Sequence, residues 1–246
     1  MRRFIGTIVL FILVLLCLAG CASQSEASEE MPEIPEEAAS DAEQETAEPE
    51  VSPEEKVLPS TVCITAGENG HGTGFAIEEG RILTCYHVVA EAPDEITVLT
   101  YDGTEYPAEL IGYDAGADIA VLEFGGSLEP VVFADPDLIG AEESLTAIGN
   151  PSGDLSFSMA PGKAVFLPEE LRDKFDKSRQ FIFFDGDAVS GYSGGPVYDS
   201  NGAVAGLLYG RYVDDLSAYG YDILCVIIPI DRAQAVAEQI LRSENT

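Results

Sequence analysis

The feature of this sequence that most restricts its possible folds is a series of short β-rich segments that begins near residue 60. A dozen such segments follow one another, separated by Gly, Pro, Asp or Asn, the residues that favour turns. No helical pattern comes between them, which disfavours a parallel α/β sheet because parallel strands are joined through helices. The pattern predicts an all-β fold, either antiparallel barrels or a sandwich.

The segment that follows the last of these strands has a different period. In residues 231–243 apolar side chains recur at the spacing of a helix, after Asp231, which is a favoured N-cap residue. These apolar residues are Ala233, Val236, Ala237, Ile240 and Leu241. We expect a short C-terminal helix there.

The N-terminal segment has the pattern of a signal peptide. Arg2 and Arg3 precede an apolar run over residues 4–16, which is too short to span a membrane comfortably, since a spanning helix needs about 20 residues. The run ends in LAGC, which resembles the lipobox of bacterial lipoproteins and implies cleavage before Cys21 and acylation of its thiol. We expect residues 1–20 to be removed and the protein to be extracytoplasmic and lipid-anchored. An uncleaved anchor helix is the alternative.

The next segment is too acidic and too polar to fold. Residues 22–56 contain 13 acidic residues and a single lysine, with almost no large apolar side chain to bury. We expect a disordered tether over residues 21–57 and a folded domain over residues 58–246. The net charge of -32 excludes nucleic acid and anionic lipid surfaces as electrostatic partners, because both attract basic patches.

The folded part keeps three cysteines, and an odd number leaves at least one thiol unpaired. Cys63, Cys85 and Cys225 all lie in apolar segments, where buried unreactive thiols are usual. A disulfide between Cys63 and Cys85 remains an alternative.

Three residues have the local surroundings that acyl-transfer chemistry requires. Ser193 stands in GYSGGP, where glycines let the backbone turn tightly and direct its N–H groups at a carbonyl oxygen. Asp118 lies in an apolar run and needs a hydrogen-bond donor, for which the imidazole of His87 is the candidate.

His71 lies in the Gly-rich segment NGHGTG, and no His or Cys cluster accompanies it, so we expect a surface turn and no metal site.

The chain contains the blocks GTGFAI, ILTCYHVV, ADIAVL, IGNPSG, DGDAVSGYSGGPV and IIPIDRAQAVAEQIL. Over residues 60–243 these blocks resemble those of HtrA/Deg-type trypsin-like proteases. The order His87, Asp118, Ser193 is that of the chymotrypsin arrangement, and the separations of 31 and 75 residues are also typical. The block around Ser193 is similar to bacterial glutamyl endopeptidases as well.

The resemblance implies a chymotrypsin-like fold of two antiparallel six-stranded β-barrels, near residues 60–145 and 146–230, with the catalytic cleft between them. It implies a serine endopeptidase that acts on extended or unfolded polypeptides through an acyl-enzyme, without metal or organic cofactor. Ser193 would be the nucleophile, His87 the general base and Asp118 the residue that orients the imidazole. The N–H groups of Gly191 and Ser193 would form the oxyanion hole.

For substrate binding, the resemblance implies strand addition along Leu208, Tyr209 and Gly210. Asp187, six residues before Ser193, stands where trypsin-like enzymes selective for basic residues have a pocket carboxylate. Cys225 falls in the expected wall of that pocket and would shorten it, unless it is simply a buried small hydrophobe. We expect a preference for small aliphatic residues before cleavage after Lys or Arg, with Asp187 outside the pocket.

Departures from the family concern regulation. No PDZ-like segment is recognised after the final helix, and Tyr192 replaces the aspartate that captures a newly cut amino terminus in digestive enzymes. Cys85 is expected to pack behind the catalytic residues instead of acting as a nucleophile.

The alternatives to a serine endopeptidase are a protease-like binding or sensing module without turnover, and an esterase, whose usual order of residues and nucleophile elbow are missing. The sequence does not indicate the oligomeric state.

Overall fold

The computed structural model describes residues 51–167, 181–212, 217 and 220–244 of the chain. The expected signal peptide, Cys21 and residues 21–50 of the expected tether lie outside this part. Within the described ranges, none of the helices is long and apolar enough to cross a membrane.

The first half of the fold is a closed antiparallel barrel of six strands. These are β1 (Thr61–Ala66), β2 (Gly70–Glu78), β3 (Arg81–Thr84), β4 (Ile96–Thr100), β5 (Glu105–Asp114) and β6 (Ile119–Phe124). They are hydrogen-bonded in the order β1-β2-β3-β6-β5-β4. Fully buried side chains such as Ile64, Phe75 and Leu122 fill the interior, as the apolar runs of these strands predict.

The second half repeats this architecture. Its strands are β7 (Ser144–Gly149), β8 (Ser158–Val165), β9 (Ile182–Phe184), β10 (Pro196–Asp199), β11 (Val204–Tyr212) and β12 (Leu224–Pro229). They close in the order β10-β11-β12-β9-β8-β7. The predicted fold of two six-stranded antiparallel barrels is confirmed, with the change between barrels falling between Phe124 and Ser144.

The C-terminal helix packs on both barrels. It spans Ile230–Glu244 and buries Ala233, Ala237 and Ile240, three of the residues that share the predicted apolar face. The helix contacts β5 and β6 of the first barrel and β11 and β12 of the second. Because it contacts both, it fixes the two barrels against each other and so supports a site between them.

The expected tether ends earlier than residue 57. Helix α1 spans Pro53–Val57, and Ser52 and Glu55 form a capping box in which each side chain accepts the other's main-chain N–H. Val57 is 1% exposed and belongs to the same apolar cluster as Tyr198 of the second barrel. The acidic composition of the segment predicted disorder, whereas the buried Val57 and the capping box of Ser52 and Glu55 hold this helical turn on the barrels.

The histidine and cysteine expectations have different outcomes. Cys63, Cys85 and Cys225 are all buried free thiols, so the alternative disulfide between Cys63 and Cys85 is absent from the structure. His71 belongs to β2 instead of a surface turn, and its Nε2 is buried without a hydrogen-bond partner among the described residues. The flanking glycines predicted a turn there, whereas they line a strand that pairs residue by residue with β1.

Candidate active site

His87 is presented by a single helical turn. Strand β3 leads through Cys85 into this turn, α2 (Tyr86–Val89), whose Val88 and Val89 are buried. The ring of Tyr86 stacks on Tyr113 of β5, with their centroids 4.0 Å apart. These contacts fix the backbone, while the His87 side chain remains 47% exposed and can meet a substrate.

Asp118 lies at the end of the turn that joins β5 to β6. It has a left-handed backbone with φ 59°, which few residues other than glycine adopt, and its side chain is only 11% exposed. Both carboxylate oxygens serve His87: Oδ1 accepts the main-chain N–H at 2.9 Å, and Oδ2 lies 2.6 Å from Nδ1. This two-point contact orients the ring and favours the tautomer that carries its proton on Nδ1.

Cys85 packs behind this pair. Its Sγ donates to the main-chain oxygen of Leu208 at 3.5 Å and is fully buried. Burial, and secondarily the negative charge of Asp118, raise the pKa of this thiol well above its ordinary value. A thiol that stays protonated is a poor nucleophile, which agrees with the packing role expected for it.

The same three side chains come close enough to suggest a metal site. One ligand atom each of Cys85, His87 and Asp118 lies within 4.8 Å of the others. Metal binding would require the Cys85 thiolate, which its surroundings disfavour, and would take at least one Asp118 oxygen from its contact with His87. The chemistry of this group therefore fits a hydrogen-bonded relay better than a metal centre.

Ser193 lies in the turn before β10, on the second barrel. Its Oγ donates to the main-chain oxygen of Tyr209 at 3.4 Å, and the Tyr209 ring lies edge-on to His87 with centroids 6.0 Å apart. Ser193 and His87 thus both lie beside Tyr209. Among the described residues, the hydrogen bond of the Ser193 hydroxyl goes to this carbonyl and not to the imidazole.

Within residues 191–195 of the Ser193 turn, two N–H groups have no acceptor among the described residues, those of Gly191 and Ser193. The other N–H groups of the turn are paired: Tyr192 with Val189 O at 3.2 Å, Gly194 with Leu208 O at 2.8 Å, and Gly195 with Tyr192 O at 2.9 Å. Gly191 has φ 93°, and a Cβ there would lie 2.3 Å from Asn150 O. Only glycine fits, and its N–H can serve an incoming oxyanion.

The expected substrate strand on β11 needs one correction. The main chain of Leu208 is already paired, since its N–H donates to Gly195 O at 2.9 Å and its oxygen accepts the Gly194 N–H. The pairing of β11 with β12 shifts between Leu208 and Gly210, which leaves Tyr209 bulged out of the ladder. Tyr209 O therefore faces Ser193, and the space beside Gly210 is open.

Asp187 has a partner that local sequence reasoning missed. Its carboxylate is 71% exposed and forms an ion pair with Arg211, whose Nε also donates to Ala188 O at 2.7 Å. Arg211 lies directly across from Cys225 in the pairing of β11 with β12. Cys225 is fully buried and its Sγ donates to Gly186 O at 3.3 Å, as a buried small side chain would; its place in a pocket wall stays a prediction.

Comparisons with known proteins identify relatives of this chain. The family described as "Trypsin-like peptidase domain" matches residues 72–207, just over half of the chain. A "Probable periplasmic serine endoprotease DegP-like" of Halomonas elongata is 36% identical over 184 residues, which are 71% of this chain and 37% of that protein. The chain therefore spans little more than a third of the length of this relative.

Solved structures share the fold. The "Rv3671c protease, inactive form" superposes with a TM-score of 0.63 at 27% identity, covering 76% of this chain and 92% of the other. The "serine endoprotease from Yersinia pestis" gives a TM-score of 0.65 at 22% identity, covering 77% of this chain and 65% of the other, which supports the fold alone. Sequence match and architecture agree, and this chain belongs to the trypsin-like peptidase domain family.

Proposed function

We propose that this chain is a serine endopeptidase that hydrolyses extended or unfolded polypeptides through an acyl-enzyme. The observation that carries the proposal is the pair of contacts by which the two Asp118 carboxylate oxygens orient His87. Beside them, the Ser193 turn offers two unpaired N–H groups. A nucleophile, an oriented base and oxyanion donors are the parts that this chemistry needs.

The residues would act in the following order. Ser193 Oγ attacks the scissile carbonyl while His87 Nε2 accepts its proton, and Asp118 stabilises the resulting imidazolium through Nδ1. The N–H groups of Gly191 and Ser193 hold the developing oxyanion, His87 returns the proton to the leaving amine, and water then releases the acyl group. The Ser193 hydroxyl must first turn from Tyr209 O to His87, a change that substrate binding commonly brings about.

The form of the cleft supports a polypeptide substrate. The bulged Tyr209 and the open space beside Gly210 allow an extended chain to pair with β11, and the DegP-like relative is named a serine endoprotease. A binding module without turnover is the second candidate, favoured by the hydrogen bond that holds Ser193 Oγ on Tyr209 O. Incubation with unfolded casein separates the two, because an endopeptidase produces new internal termini, and an intact casein after prolonged incubation supports the binding module.

We expect cleavage after small aliphatic residues and little cleavage after Lys or Arg. The carboxylate of Asp187 forms an ion pair with Arg211, so it does not offer an unpaired negative charge to a basic side chain of the substrate. A mixed peptide library read by mass spectrometry measures this preference. Because Asp187 is expected to lie outside the pocket, Arg211→Ala should leave this preference unchanged, to within the roughly fivefold effect of an exposed ion pair.

Arg242→Ala is the matched control for this experiment, because Arg242 forms a comparable exposed pair with Glu238 on the C-terminal helix. Dominant cleavage after Lys or Arg by the wild-type chain, lost in Asp187→Ser, would show that Asp187 is the base of a basic pocket.

The proposal also includes an extracytoplasmic location with a lipid anchor at Cys21. The DegP-like relative is named periplasmic, and LAGC supplies the acylation motif. We expect radiolabelled palmitate to be incorporated in the native host, and Cys21→Ser to abolish both labelling and membrane retention, since two acyl chains anchor stably where one does not. Cys17→Ser, within the expected signal peptide, should leave labelling intact. Membrane retention of an unlabelled Cys21→Ser protein would favour the uncleaved helix.

A further inference from the structure

Thr73 of the first barrel makes four hydrogen bonds, of which two reach the Ser193 turn of the second barrel and a third reaches Asn150 of the same barrel. Its Oγ1 donates to Gly191 O at 2.7 Å and accepts the Asn150 N–H at 3.0 Å. Its N–H donates to Ser193 O at 2.9 Å, and its own oxygen accepts from Thr84 Oγ1 at 2.7 Å. Thr73 lies on β2 and is fully buried, so none of its polar groups can exchange these partners for water.

These bonds fix the peptide groups that flank the candidate oxyanion donors. The Gly191 and Ser193 carbonyls are held by Thr73, and the Tyr192 carbonyl between them accepts the Gly195 N–H at 2.9 Å. Three consecutive peptides are therefore fixed, two of them from the other barrel. The middle peptide carries the Ser193 N–H, so rotation of that donor away from the cleft would require these bonds to break.

The approach of the two barrels at this point is close. A Cβ on Gly72, next to Thr73, would lie 2.8 Å from Ser193 O. The helical turn that carries His87 also belongs to the first barrel, and its Val88 would contact the same added Cβ at 2.7 Å. Strand β2 thus contacts both the Ser193 turn and the helical turn that carries His87. This one strand sets the position of one turn relative to the other.

We propose that Thr73 is a positioning residue that holds the turn carrying the Gly191 and Ser193 N–H groups in register with His87, acting directly on the residues that flank the Ser193 N–H. The proposal rests on the proposed peptidase function for its catalytic consequence, but its structural consequence can be measured without turnover. Thr73→Val keeps the shape of the side chain and its main-chain hydrogen bonds but removes the two hydrogen bonds of Oγ1, whereas Thr73→Ser keeps the hydroxyl. Loss of the hydroxyl leaves Gly191 O and the Asn150 N–H with only their mutual hydrogen bond of 3.2 Å, so the turn is held less firmly.

The experiment compares both variants with Thr61→Val, which removes another buried hydroxyl of the same barrel, one that donates to Val57 O at 3.0 Å. We expect Thr73→Val to lower kcat for a cleavable peptide on the order of 10- to 100-fold with little change in KM, because a misplaced oxyanion donor acts on the transition state. Thr73→Ser should restore most of kcat. Thr61→Val should match Thr73→Val in lowering thermal stability but keep the wild-type kcat.

Hydrogen exchange of the amides in residues 189–196, read by mass spectrometry, gives the readout that does not depend on catalysis. Faster exchange in Thr73→Val than in Thr73→Ser and Thr61→Val supports the proposal. Unchanged exchange in that segment overturns it, as does a kcat equal to that of wild type. A wild-type chain that cleaves no peptide refutes the peptidase function instead, and exchange alone then decides the role of Thr73.

Discussion

Ser193→Ala is expected to abolish peptide-bond hydrolysis while the fold stays intact. Loss of a serine nucleophile in comparable enzymes costs on the order of a millionfold in kcat. The folded state depends little on this side chain, because Ser193 Oγ makes a single hydrogen bond of 3.4 Å to Tyr209 O. The measurement is the rate of release of new termini from unfolded casein, with the thermal unfolding midpoint measured on the same preparation.

Ser200→Ala is the matched control, because Ser200 is an exposed serine in the turn between β10 and β11. We expect it to retain both activity and stability. Cleavage of casein by Ser193→Ala at a rate near that of wild type would refute the assignment of the nucleophile and, with it, the serine endopeptidase.

Asp118→Asn is expected to lower turnover at neutral pH by about 10,000-fold, the size of the wrong-tautomer effect. Asp118 Oδ1 accepts the His87 main-chain N–H, so an asparagine that keeps this bond directs its amide NH2 at Nδ1. Nδ1 must then act as an acceptor, which moves the ring proton to Nε2. A protonated Nε2 on a neutral ring cannot take the Ser193 proton.

Kinetics with a cleavable peptide near pH 7 measure this loss, and Asp102→Asn, at an exposed aspartate of the turn between β4 and β5, controls for the change of charge. A fall of less than tenfold would mean that another residue orients His87, and the role proposed for Asp118 would be wrong.

The fold was predictable because its signals are local. Each strand carries its own apolar run and turn residues, and the C-terminal helix shows its buried face in the spacing of Ala233, Ala237 and Ile240. These local signals predicted the strands, and the resemblance to a known family predicted that the strands close into two barrels. His87, Asp118 and Ser193 were also open to prediction, because each stands in a short motif that differs from its surroundings.

The residues that sequence reasoning missed act through distant partners. Arg211 meets Asp187 across 24 residues of chain, and Thr73 meets Gly191 across 118. Nothing near Arg211 or Thr73 in the sequence marks a partner, since the pairing arises only when the strands close into barrels. The main-chain hydrogen bonds of Leu208 were not predictable for the same reason. They depend on a bulge at Tyr209 that no residue type in the sequence indicates.

The measurement that tests the central claim most directly is covalent labelling with a fluorophosphonate, which reacts with serines activated by a neighbouring base. The folded chain is treated with the probe, digested, and searched for the adduct by mass spectrometry. The proposed mechanism predicts a single adduct on Ser193 that is lost on thermal unfolding and in Asp118→Asn. An unlabelled chain, or an adduct on a different serine, would contradict the claim that Ser193, His87 and Asp118 form a working catalytic site.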